Sequence, residues 1–150
     1  MTVIDLQTIR YINLLDNTSR VKTRKCFVYN NVIFFAVPRE LVSKAIGMDA
    51  INVRKIQDQL GKRIKIIAEA SGIDDSQRFL EDIVSPVKFK SLEVQDGAFV
   101  LSAGSQSKAA LIGRNRRREA ELKQIMQDTF NMDFKIIWKM LDDLLRDNYF

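Results

Sequence analysis

Sliding this chain over itself exposes an internal repeat, and a repeat constrains the fold because each copy must build its core from the same order of elements. Residues 34–47 and 100–113 have equal length, and both end in Ile-Gly. From Gly47 to Gly113 the offset is 66, and the same offset carries Asn30-Asn31 onto Asp96-Gly97. Asp-Gly is a strong hairpin signal because both central residues of a type I′ turn have positive φ, a geometry that Asn also tolerates. Ile56 and Leu60 fall on Leu122 and Met126, each pair spaced to share one helical face. At the closing strands Lys65-Ile66-Ile67 answers Lys135-Ile136-Ile137, where the offset is 70, so the second copy holds four extra residues before its last strand.

The first copy reads as a helix marked by Ile4, Leu6, Ile9, Ile12 and Leu15, then a strand over 21–29 and a return strand over 32–37. A short helix over 39–46, a longer one over 51–60 ended by Gly61, and a strand over 63–68 complete it. The second copy predicts a helix over 76–84 stopped at Pro86, strands over 87–94 and 98–103, helices over 105–112 and 117–129, and a strand over 133–138. Each order is αββααβ, which places the chain in the α+β class. The expected domains are 1–69 and 70–138, joined by a polar connector with Gly72, Asp74 and Asp75, and followed by a tail over 139–150 with an apolar stripe through Met140, Leu141, Leu144 and Leu145. Units of roughly 65 residues bury only about 60% of their unfolded surface, so the two are expected to pack as one rigid unit. The alternative is one α+β domain in which the repeat is a coincidence of common patterns.

Composition removes several chemistries. With no His and a single Cys, Cys26, the chain has no imidazole proton shuttle, no Cys/His zinc site and no intrachain disulfide. No cofactor is expected. The carboxylate pairs Asp74-Asp75 and Asp142-Asp143 occupy adjacent positions that diverge on helix and strand alike, and no Gly-rich loop ends in Lys-Ser/Thr, so an enzyme is not expected. Apolar runs such as residues 32–37 fall far short of the roughly 20 residues that span a bilayer, and the N-terminus lacks an export signal. The chain is expected in the cytoplasm, as a monomer without a membrane partner. Its 24 Lys and Arg against 19 Asp and Glu leave a net charge of +5, compatible with a polyanionic partner.

A glycine that links a short helix to a longer one aims the longer helix's amides and positive dipole end outward and lets a sugar-phosphate backbone approach. Residues 44–56, Lys-Ala-Ile-Gly-Met-Asp-Ala-Ile-Asn-Val-Arg-Lys-Ile, resemble the core of a KH domain, whose GXXG loop clamps about four nucleotides of single-stranded RNA. The tandem αββααβ order resembles the type II form. Two such modules preceded by Ile9-Arg10-Tyr11-Ile12 look like the archaeal NusA-like transcription factors, over residues 1–137. That resemblance implies single-stranded RNA binding in transcription elongation and termination, with RNA polymerase or other transcription factors as partners.

Contacts in the first copy are then expected at Lys44, Ile46, Gly47, Met48, Asp49, Ala50, Asn52, Val53 and Arg54. In the second they fall at Lys108, Ile112, Gly113, Arg114, Asn115, Arg116, Arg117 and Arg118. Both loops depart from the family pattern. Ala50 and Arg116 replace the second Gly, Asp49 puts a carboxylate where phosphate should approach, and Glu119 stands where the first copy has Val53. The alternative role is a protein-interaction scaffold that kept the KH fold without binding nucleotides. The alternative for the arginine run is a solvated helix start supported by Glu119 and Glu121, against which stands the helix dipole, which disfavours cations at an N-terminus.

Arg20, Lys22 and Arg24 alternate with Val21 and Thr23, so on a strand they share one face, either an extension of an RNA track or the solvent side of an edge strand. Phe34, Phe35, Phe89 and Phe99 read as strand residues of the core, and Cys26 as a small buried hydrophobe.

Overall fold

The period-2 and period-3.6 patterns resolve into six α-helices and two three-stranded sheets in a computed structural model that describes residues 6–138. The chain divides into two units between Ser71 and Gly72. The expected tail over 139–150 lies outside the described residues.

In the first unit α1 (Leu6–Ser19) leads into β1 (Lys25–Tyr29) and β2 (Val32–Val37), an antiparallel hairpin. Its two-residue turn is Asn30-Asn31, both at positive φ (51° and 63°). A 3-10 turn, α2 (Val42–Ile46), a second 3-10 turn and α3 (Ile51–Leu60) then cross over to β3 (Arg63–Ala68), which pairs parallel with β2. The sheet order is β1-β2-β3. Tyr11, Leu15, Ile33, Phe35, Val37, Ala45 and Ile56 form the core between helices and sheet.

The second unit repeats this plan. α4 (Ser76–Val84) precedes β4 (Ser91–Gln95) and β5 (Ala98–Ala103), turned at Asp96-Gly97 with φ of 53° and 74°. α5 (Ser105–Ile112), a 3-10 turn and α6 (Arg117–Phe130) lead to β6 (Asp133–Trp138), parallel to β5. At the offset of 66, Ile33, Phe35, Val37, Ala45 and Ile56 become Phe99, Leu101, Ala103, Leu111 and Leu122, all buried. The four extra residues lengthen the second long helix from 10 to 14 residues, about one added turn. Phe130, in that added length, meets Phe79 and Phe99 edge-on at centroid distances of 5.9 and 5.3 Å.

Two strands are shorter than the sequence predicts: β1 starts at Lys25 opposite Ala36, and β4 starts at Ser91 opposite Ser102, each one residue short of the end of β2 or β5. Pro38 follows β2 directly and offers no N–H to extend the pairing. Residues 21–24 therefore stand outside the sheet. Arg20 closes α1 at φ 63°, Ser19 Oγ donates to the Leu15 carbonyl at 2.7 Å and accepts from the Val21 N–H at 3.2 Å, and the buried Thr23 hydroxyl bonds the Ala36 carbonyl. Residues 87–90 are likewise irregular, so Phe89 is half-buried beyond the strand rather than a strand residue of the core. Cys26 is also only half-buried.

Candidate nucleic-acid interface

The two glycine turns have the same backbone. Gly47 sits at φ 81°, ψ 165°, and Gly113 at φ 74°, ψ 174°. Two consecutive left-handed residues follow one position later in each: Asp49 and Ala50 at φ 54° and 58°, Asn115 and Arg116 at φ 57° and 59°. A Cβ on Gly47 would lie 2.9 Å from Ile51 Cγ2, and one on Gly113 would lie 2.8 Å from Arg118 Cγ, so the first glycine is fixed by space as well as by φ.

The loop amides are only partly available to a ligand. Gly47 and Gly113 donate to Ser43 and Ala109, Ala50 and Arg116 donate to Gly47 and Gly113, and Ile51 and Arg117 donate to Met48 and Arg114. The outward fan of free amides that the glycine suggested is therefore narrowed at both turns by bonding within the turn.

Side chains brace the turns as well. Asn52 Nδ2 donates to the Lys44 carbonyl at 3.2 Å, and Arg118 donates from a terminal guanidinium nitrogen to the Ala110 carbonyl at 3.1 Å. Both acceptors lie in the last turn of the short helix, where carbonyls lack an intrahelical partner, so each long helix caps the helix before it. Asn52 and Arg118, two of the expected contacts, are thus occupied in holding the turn.

The side chains presented outward differ between the copies. In the first turn Met48 is 84% exposed and Ile51 44%. The equivalents in the second are Arg114 and Arg117, both exposed and, among the described residues, without a side-chain partner. Ile51 was not singled out from the sequence, although its equivalence to Arg117 at the common offset marks it. Arg116 is exposed but engaged: its Nε and a terminal nitrogen reach the two carboxylate oxygens of Glu119 at 2.8 and 3.2 Å. Glu119 is buried, and its hydrogen bonds from Arg116 hold the carboxyl below the ordinary range against the opposing effect of desolvation. Its counterpart Val53, like Ile46, is half-buried against the core.

The flanking residues Lys44 and Arg54 are exposed, whereas Ile112 and Lys108 are half-buried, Lys108 close enough to Glu119 to favour its charged form. The second basic cluster does not form a strand face. Arg20, Lys22 and Arg24 are exposed between buried Val21 and Thr23, but outside the sheet. Lys22 and Arg24 line an open cleft of about 560 Å³ that Asp16 and Glu69 share, so carboxylates offset its charge.

Among the described residues no group of His, Cys, Asp and Glu could hold a metal ion, and no helix is long and apolar enough to cross a membrane. No protein-family model matches the chain. It is similar, at 21% identity over 128 residues, to a protein of Halococcus morrhuae named probable transcription termination protein NusA, covering 83% of this chain and 90% of that one. It also shares its fold with the crystal structure of APE1850, at a TM-score of 0.62 and 23% identity over 90% of this chain and 99% of that one.

Proposed function

We propose that the chain binds single-stranded RNA through two KH-type units of the type II order, set in tandem, and that it serves transcription in the manner of its NusA-named relative, at elongation or termination. The observation that carries this reading is the repetition of one turn backbone at Gly47 and Gly113, followed by exposed residues Met48 and Asp49 in the first unit and by exposed, unpaired cations at Arg114 and Arg117 in the second. A tight glycine turn at a long helix start suits the clamping of a sugar-phosphate strand, and backbone contacts of this kind position RNA without reading its sequence. The distant similarity to a termination protein supports the same reading. RNA polymerase or other transcription factors are the proposed further partners, in the cytoplasm, and no catalysis is proposed.

Salt titration of the full chain against a labelled, unstructured single-stranded RNA tests this. Neutralising four to six phosphates predicts a log-log slope of roughly −3 to −4. Weak affinity that is flat across salt would instead make the protein an interaction scaffold.

A further inference from the structure

Resting on that reading, we infer that only Arg114 and Arg117 of the four-arginine run grip phosphate, that Arg116 and Arg118 are positioning residues, and that the first turn contributes no cationic contact to phosphate. The run invites the opposite view, since Arg114, Arg116, Arg117 and Arg118 are close in sequence and carry equal charge. Their partners separate them. Arg116 is taken up by both oxygens of Glu119, and Arg118 points back to the Ala110 carbonyl at 3.1 Å. A guanidinium forked onto a carboxylate through Nε and one terminal nitrogen has given up that planar donor pair, and the carboxylate offsets the charge that would draw a phosphate to the other. Arg118 has a counterpart in Asn52, which makes the same bond without a charge, so its place in the turn is structural in both copies.

Arg114 and Arg117 have neither constraint. They flank the two left-handed residues, project from the exposed side of the turn, and begin a helix whose dipole disfavours cations until an anion arrives. At their equivalent positions the first turn carries Met48 and Ile51, on the same backbone but with no charge, and Asp49 between them repels phosphate. The two turns are one scaffold with two surface chemistries.

The test is the salt slope of the full chain on the same single-stranded RNA, with thermal melting to verify folding of each variant. Each lost phosphate contact flattens a single-strand slope by roughly 0.7. The double variant Arg114→Ala/Arg117→Ala should therefore flatten it by about 1.4, while Arg116→Gln, which removes a positioning residue, lowers the affinity at every salt concentration but keeps the slope. Grafting the pair onto the first turn, Met48→Arg/Ile51→Arg, should steepen it by about 1.4. A wild-type protein with no salt-dependent binding overturns the RNA reading itself. A normal wild-type slope that survives Arg114→Ala/Arg117→Ala, or that Arg116→Gln flattens as much, overturns the partition and leaves RNA binding standing.

Discussion

Asn52 and Arg118 lie at the same place in the two units and make the same hydrogen bond, each reaching eight residues back to a carbonyl in the last turn of the short helix, at 3.2 and 3.1 Å. A neutral amide and a guanidinium have converged on one task because the geometry asks only for a donor. The acceptor is a helix-end carbonyl with no partner of its own, and the bond ties the short helix to the long one across the glycine turn.

Removing that donor measures its contribution. Asn52→Leu keeps much of the side-chain volume without a donor for the Lys44 carbonyl, and a loss of about 1 kcal/mol is expected from the lost hydrogen bond. Urea unfolding of both proteins measures it; equal midpoints would mean that the bond does not matter in solution. Arg118→Met, which keeps much of the stem, should cost a similar amount, about 1 kcal/mol, in the second unit.

Left-handed backbone at Ala50 gives an unusual sign. Ala at φ 58° incurs a Cβ clash of roughly 1–2 kcal/mol, which Gly avoids at an unfolded-state cost of about 0.4–1 kcal/mol. Ala50→Gly is expected to raise stability by about 0.5–1 kcal/mol, readable as a higher melting temperature. Arg116→Gly relieves the same strain but strips the buried Glu119 of its partner, so its gain should fall short of the first.

At the first glycine of the turn the sign reverses. Gly113→Ala forces a Cβ to 2.8 Å from Arg118 Cγ at φ 74°, displacing the arginine from the Ala110 carbonyl as well as straining the backbone. A loss exceeding about 1 kcal/mol is expected. The same change at Gly97, where nothing lies within 4 Å of a Cβ, meets strain alone and should cost less.

The Arg116–Glu119 pair sets a pH dependence. The carboxyl of Glu119 is held below its ordinary range chiefly by the hydrogen bonds from Arg116, so the folded state binds that proton less readily than the unfolded chain. Its stabilisation is full above the unfolded carboxylate's range and is lost as pH falls through the lower, folded value. Glu119→Gln should remove this part of the acid side of the stability profile, and Arg116→Gln should diminish it. Superimposable acid limbs for wild type and Glu119→Gln would show that the pair does not titrate with folding.

Much of this molecule is written locally. The repeat, the αββααβ order, the hairpins at Asn30-Asn31 and Asp96-Gly97, and the glycine turns follow from periodicity and from residues that tolerate positive φ, both properties of short stretches of chain. Strand ends did not follow: residues 21–24 and 87–90 have β-rich composition, yet the Thr23 hydroxyl and the Lys90 N–H take the Ala36 and Ser102 carbonyls outside the regular ladder. Which arginines are available was equally hidden. Arg114, Arg116, Arg117 and Arg118 read alike in sequence, and they differ only once the folded chain brings Glu119 to one and the Ala110 carbonyl to another. Glu119, three residues from Arg116, was a local candidate, but which arginine it takes, and the bond of Arg118 back across the glycine turn, are fixed only by the folded backbone.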